Sequence, residues 1–365
     1  MFNMRLMSKL RHACIILTAS IGLSFSLIAS ADDYSSNSNT VTPAVTIKVS
    51  YEYGEGTPLD VAMHYWKKEL DERSQGTMRL DLYPNLSLGS KDDLFRRMQQ
   101  GENIITTADG INYYNWGNAD LGIIFGPYLF KNWIEAFFLT HSKWFHGEID
   151  KLAKNQKIRV FSTNWAFGIR HILTVNPVTK RNELRGLRLA VQDNPLHIKA
   201  MELYNIVPVK MELNQVDQAL ASKKIDGVDG PISYIYHSGQ YHNAHYLLLT
   251  GHIYHLMNLV TSESFWQNLT PEQQHLLKDS ANRSAKFHNV VQQADEYHSM
   301  QKMQEEGISI TTPSPAFLST IVSASHAFYI LRDFRSWSSG LYFKVLSEKS
   351  VPWSYYTDSS EIPED

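Results

Sequence analysis

The sequence predicts an α/β protein of two lobes joined by crossing strands, with a long helical region toward its C-terminus. Three observations carry this expectation. Strand and helix periodicities alternate repeatedly between Thr46 and Ser222, which favours βα units packed as α/β lobes. Tyr246 to Thr250 and His255 to Thr261 then read as strands returning through the chain's earlier elements. Pro271 opens a helical pattern that extends toward Gln304.

The elements follow in order. Thr46-Ile-Lys-Val-Ser-Tyr-Glu alternates like a strand, a helix runs from Thr57 through Gln75, and Gly76 ends it before a strand from Met78 to Leu82. The segment PNLSLGSKDDLFRRMQQGENIITTADG supplies a glycine turn, a short amphipathic helix and a buried strand at Ile104 to Thr107. Leu121 to Phe130 is apolar, broken by Gly126 and Pro127, and Trp133 through Trp144 continues as a helix. Strands at Ile158 to Thr163 and Arg170 to Asn176 lead to a second lobe. There Leu187 to Val191 is a strand, Pro195 to Leu203 a helix, Val207 to Met211 a strand and Asn214 to Ser222 a helix. No short internal repeat is present.

The N-terminus reads as an export signal. Arg5, Lys9 and Arg11 precede an apolar run from Ala13 to Ala29, and Ala29-Ser30-Ala31 is a cleavage site, so processing is expected after Ala31. A retained signal anchor is the alternative. No later run of about 18 uninterrupted apolar residues follows. Cys14 is the only cysteine and lies in the apolar run, so the 334 residues after Ala31 depend on packing without disulfides. Loss of the three basic residues leaves 31 Lys+Arg against 37 Asp+Glu, a formal charge of −6, which gives no reason to expect nucleic-acid binding. Asp32 to about Val45 is rich in Ser and Asn and reads as a flexible leader, residues 32–45.

The stretch LRGLRLAVQDNPLHIKAMELYNIVPVKMELNQVDQALASKKIDGVDGP, from Leu184 to Pro231, is the most informative. Gly186, Leu187, Arg188, Ala219, Leu220, Asp226, Gly227, Asp229, Gly230 and Pro231 keep a GLKxR…ALxxGxxDG frame, with Lys223 at its middle glycine. The chain therefore resembles the substrate-binding proteins of tripartite ATP-independent periplasmic (TRAP) transporters, the DctP-like family. The likeness runs from about Thr46 to Leu318, and the Leu88-Gly89 pair and Gly101 match the family's first lobe.

That resemblance implies a two-lobed periplasmic-binding-protein fold with crossover hinge strands. Lobe I is expected over residues 46–167 plus 256–300, and lobe II with a hinge-spanning helix over 168–255 plus 301–328. It implies a periplasmic receptor that closes on a small polar solute and presents it to the permease subunits of an ion-gradient-driven system. A receptor-derived sensory or assembly protein that no longer delivers solute is the alternative. The family commonly pairs a substrate carboxylate with an arginine after GLKx, where this chain has Ala190, and with a basic position in the strand entering lobe II, where it reads Leu173-Thr174-Val175-Asn176-Pro177.

Candidate ligand contacts follow from these departures. Arg170 could compensate for the missing arginine, or form an interlobe salt bridge. Asp193 and Asp229 could favour a neutral polyol, a zwitterion or an amine, or could cap local turns. Tyr53, Trp116, Trp165, Tyr234 and Tyr236 offer faces for a sugar ring or cationic head, against an ordinary packing role. Asp109 sits at the turn before Trp116, Leu213 could form an apolar wall, and His252 lies where a strand returns between lobes.

The 15 histidines show no zinc framework, and His237, His242, His245, His252 and His255 are expected to be packing or surface residues. GxSxG, phosphate-cradling and dinucleotide motifs are lacking, so neither an enzyme nor a cofactor is expected. The aromatic segment 329–365 could wrap over a lobe or anchor a protein partner.

Overall fold

Two strands of 17 residues organise the protein, seen here as a computed structural model that describes residues 44–330 and 334–350. They are β4 (Ile158–Thr174) and β8 (Tyr246–Ser262), antiparallel along their whole length. The sequence divides each into two strands because a glycine interrupts it: Gly168 in β4 and Gly251 in β8. In the structure each is one strand carrying irregularities, with register shifts on either side of Trp165, Ala166, Ile169 and Arg170.

On one side, β1 (Val45–Ser50), β2 (Met78–Tyr83) and β3 (Ile104–Ala108) run parallel, and β3 joins β8. On the other, β5 (Arg188–Val191), β6 (Val207–Lys210) and β7 (Gly227–Pro231) run parallel, and β7 joins β4. The strand order is β2-β1-β3-β8-β4-β7-β5-β6, with β9 (Ser309–Thr311) beside β8. The two parallel groups are the sheets of lobes I and II, and β4 and β8 belong to both.

Helices cover these sheets. In lobe I, α1 (Pro58–Arg73) starts at Thr57, whose side chain accepts from the Asp60 N–H, and buries Leu59, Ala62, Met63, Trp66 and Leu70 on one face. The helix α2 (Lys91–Gln99) has a Ser90–Asp93 capping box. After β3 come α3 (Gly110–Asn115), α4 (Trp133–Thr140) and α5 (Lys143–Gln156). The single helix expected over Trp133 to Trp144 is broken because Ser142 caps a new one, accepting from the Phe145 N–H. Lobe II carries α6 (Pro195–Glu202), α7 (Val216–Ala221) and α8 (Ile232–His237). After β8 and α9 (Glu263–Asn268), α10 (Pro271–Glu305) runs for 35 residues, about 50 Å, and packs on α1, β4 and α8.

The seam between lobes is where α10 meets the irregular middle of β4. Bulged strands leave backbone groups without ladder partners, and such groups must be satisfied elsewhere. Asn289 does this twice, accepting from the Ala166 N–H at 2.8 Å and donating to the Asn164 carbonyl at 2.8 Å. Apolar packing is divided accordingly. Trp66 lies in the lobe I core, its Nε1 donating to Ser280 Oγ at 3.0 Å across from α10. Strand alternation sends Ala190 into a lobe II cluster with Leu173, Val216 and Val228, while Leu189 and Val191 face a larger cluster shared with Ile104 and Ile158.

The chain ends through α11 (Pro315–Ile330) and α12 (Leu341–Glu348). Tyr329 stacks on Tyr342 at 4.3 Å and donates to the Pro127 carbonyl at 2.8 Å, so the described part of the aromatic segment wraps back over the molecule. The export signal, residues 1–31, and nearly all of the leader, residues 32–45, lie outside the described residues, as do Trp353, Tyr355 and Tyr356. Among the described residues no helix is long and apolar enough to cross a membrane.

Candidate functional site

In open α/β sheets ligands bind beyond the carboxyl ends of the strands. Here β1 ends into Tyr51, Glu52 and Tyr53, β3 ends into Asp109, and β7 carries Asp229 just before Tyr234 on α8. The crossing strands add Arg170 from β4 and His252 and His255 from β8, and α6 adds His197. Among them, Arg170, Asp229, Asp109, His197, His252 and His255 form one polar network at the lobe seam.

Asp229 is its centre, with a side chain fully shielded from solvent. Its Oδ2 accepts from Arg170 Nε at 2.6 Å and His252 Nε2 at 3.2 Å, and its Oδ1 accepts from His197 Nε2 at 2.8 Å. Arg170 Nη2 also donates to the Asp229 carbonyl at 2.9 Å, and the guanidinium lies 5.6 Å from the Phe125 ring centroid. Burial works to raise the Asp229 pKa, but Arg170, His197 and His252 outweigh it and hold the carboxyl well below the usual carboxylate range. Asp109 behaves alike: burial opposes ionisation, while His255, the Asn112 N–H and Lys91 hold its pKa below normal.

The imidazoles have defined tautomers. His197 Nδ1 faces the Gln192 N–H at 3.2 Å, and a backbone amide can only donate, so Nε2 carries the ring proton. His255 Nδ1 faces Arg170 Nη1 at 3.4 Å, so its Nε2 donates to Asp109 Oδ2 at 2.9 Å. His252 is buried, which lowers its pKa against the opposing pull of Asp229; Nε2 holds the carboxylate and Nδ1 meets Thr250 Oγ1 at 2.8 Å.

A second ion pair lies on the lobe I side. Lys91 Nζ is 2.7 Å from Glu52 Oε1, 2.9 Å from Thr106 Oγ1 and 2.7 Å from Thr107 Oγ1, and it also donates to the Thr107 carbonyl. Aromatic rings close the seam beside it. Tyr53 lies 5.1 Å from Phe167 and 4.9 Å from Tyr234, linking lobe I to lobe II. Gly230 admits this arrangement, since a Cβ there would stand 3.0 Å from the Tyr234 ring.

Tyr53, Asp109, Arg170, Asp229, Tyr234 and His252 thus converge, and Arg170 forms an ion pair with Asp229 on the adjacent strand β7. The other candidates lie elsewhere. Trp116 is buried against Phe95 at 5.0 Å, and Trp165 is buried with its Nε1 on Ser162 Oγ. Asp193 pairs with Lys210 at 2.8 Å on the surface, 72% exposed, and Leu213 is also exposed. Tyr236 stacks on Tyr241 at 5.4 Å. Sequence reasoning overlooked Glu52, Lys91, Phe125, Phe167 and His197. A histidine just inside an Asn194-Pro195 helix start was the available signal, because that turn directs side chains toward the preceding strand end. Among the described residues no group of three or more His, Cys, Asp or Glu is arranged to hold a metal ion.

Comparison with known proteins agrees with this architecture. The family described as bacterial extracellular solute-binding protein, family 7 (DctP), matches residues 49–331. A TRAP periplasmic solute-binding protein of Actinobacillus succinogenes, solved with bound L-galactonate, is 30% identical with a TM-score of 0.77, over 83% of this chain and 99% of that one. One from Ochrobacterium anthropi, solved with bound L-fuconate, is 31% identical with a TM-score of 0.78, over 84% of this chain and 99% of that one. The sialic acid-binding periplasmic protein SiaP of Vibrio cholerae is 24% identical over 279 residues, 75% of this chain and 85% of its own.

Proposed function

Because the chain belongs to bacterial extracellular solute-binding protein family 7, the non-catalytic periplasmic receptors that capture solutes for TRAP permeases, we propose that its solute is a small, polyhydroxylated, sugar-derived molecule. The observation that carries this reading is the pairing of aromatic faces with a fixed hydrogen-bonding network. Tyr53 and Tyr234, backed by the buried Phe167, supply ring surface for the C–H face of a sugar chain, beside Arg170 and its partners. The sugar-acid ligands of the two relatives at 30% and 31% identity support a carbon skeleton of this kind.

We assign ligand contact to Tyr53, Arg170 and Tyr234, and support of Arg170 to Asp109, Asp229 and His252. Lobe I takes residues 46–167 plus 256–300, and lobe II with the hinge-spanning helix takes 168–255 plus 301–328. Capture works by closure about the irregular middle of β4 and β8, with α10 alongside.

The test is thermal stabilisation of the processed protein, unfolded and refolded to strip carried-over ligand, across sugars, alditols, sugar acids, amino acids and amines. Saturable stabilisation by a sugar-derived compound, lost in Tyr53→Ala and Tyr234→Ala, is the expected result. Stabilisation confined to amines or amino acids would overturn the reading. Silence across the panel would favour the sensory or assembly alternative.

A further inference from the structure

We infer that the solute is uncharged where it meets Arg170, a sugar or alditol and not the corresponding acid. The inference rests on the sugar-derived reading above and follows from how the charges of the site are already arranged.

The seam holds two cations, Arg170 and Lys91, and three carboxylates, Glu52, Asp109 and Asp229. The Gln192 N–H and Arg170 Nη1 each face an imidazole Nδ1, of His197 and His255, which leaves each ring its Nε2 N–H for a carboxylate. Two cations against three carboxylates leave the Arg, Lys, Asp and Glu side chains of the seam one negative charge in excess before any ligand enters. Neither cation stands alone. Asp229 lies 2.6 Å from Arg170 Nε, so the guanidinium charge is already paired when a ligand reaches its remaining N–H groups. A carboxylate bound there would have to share that one cation with the fully shielded Asp229. Lys91 has three N–H donors and four oxygens around it, two of Thr107, one of Thr106 and one of Glu52, so it has none left for a ligand.

What remains suits neutral hydroxyls. Arg170 uses Nε and one N–H each of Nη1 and Nη2, which leaves N–H groups able to donate to a hydroxyl oxygen without needing its charge. Tyr234 accepts from Gln240 Nε2 at 3.0 Å, which leaves its phenol proton to donate. A hydroxyl completes these bonds with no net charge brought into the site, whereas a carboxylate adds a second negative charge beside Asp229 and Asp109, where low dielectric strengthens repulsion.

The experiment compares matched compounds on the stripped, processed protein by titration calorimetry at pH 7.5: L-galactonate, galactitol and L-galactose, then L-fuconate, L-fucitol and L-fucose. At least one neutral member is expected to bind 10-fold or more tighter than its acid. Equal or tighter binding of the acid would overturn the inference and leave the sugar-derived reading standing. Saturable binding by none of the six would overturn that reading itself. Asp229→Asn, which removes the carboxylate facing Arg170, should shift the preference toward the acid by 10-fold or more, with Asp279→Asn, at the pair that α10 makes with Arg73 of α1, as the charge control. An unchanged preference in a folded Asp229→Asn protein would also overturn the inference. Should that variant fail to fold, the six-compound comparison on the unaltered protein still decides.

Discussion

Glu296 sits on α10 against the crossing strand, and replacing it with glutamine should change how stability responds to pH. Its carboxyl occupies the space that a side chain at Gly168 would need: an ideal Cβ there would lie 2.2 Å from Glu296 Oε1 and 2.7 Å from Pro231 Cβ. Oε1 is buried without a hydrogen-bond partner. Burial is the main cause that raises the pKa from the ordinary 4.5 to about 7; Gln292 and the Ile169 N–H oppose it, and neighbouring Asp295 adds to it. The folded protein therefore holds this proton more tightly than the unfolded chain does. The associated stabilisation is complete below pH 4.5 and is lost as pH rises through 7, by about 3 kcal/mol at ~1.4 kcal/mol per pH unit. Glu296→Gln cannot ionise, so its advantage over the unaltered protein should grow by that amount between pH 4.5 and 8. Urea unfolding of both proteins across this range measures the difference directly. Asp109 and Asp229 have depressed pKa values and titrate below the window, so they cancel in the comparison. Parallel curves, with a difference that stays constant from pH 4.5 to 8, would refute the reasoning.

The seam and its surroundings support further tests. Gly168→Ala combines a φ of +114° with the two close contacts above and should destabilise by about 3 kcal/mol, whereas Gly186→Ala, at φ +80° with open space, should cost about 1 kcal/mol; similar losses in urea titrations would show that crowding at Gly168 relaxes freely. Arg170→Met strands the buried Asp229 charge and should cost about 3–5 kcal/mol at pH 7. A loss under 1 kcal/mol by the same assay would mean that His197 and His252 alone satisfy the carboxylate. Asp193→Ala removes an exposed pair with Lys210 and should change stability by less than about 0.5 kcal/mol. Calorimetry on that variant with the tightest of the six sugar compounds should show unchanged affinity, and a 10-fold loss would bring Asp193 into the site.

Much of the fold was legible because its signals are local. Thr57 and Pro58 mark a helix start, Ser90 and Asp93 form a capping box three residues apart, and Thr270-Pro271 opens the helix that runs to Glu305. Each rests on contacts within one turn. The same local view misled at β4 and β8. Gly168 and Gly251 punctuate the sequence as turns do, yet antiparallel pairing between the two strands carries each through its irregularity, helped by Asn289 from α10.

The site divides along the same line. Sequence alone determined that Tyr53 follows the first strand, on the side where an α/β sheet opens to its cleft, and the family resemblance drew attention to Arg170 and Asp229. It could not determine that Asp229 is sealed by Arg170, 59 residues away, together with His197 and His252, or that His255 reaches Asp109 across 146 residues. Nor could it separate Trp116, stacked in the core on Phe95, from Tyr53, stacked across the seam on Tyr234. Periodicity and capping depend on neighbours three or four positions apart, whereas charge pairing and ring stacking depend on which surfaces two lobes bring together. Only the crossing of β4 and β8 decided that.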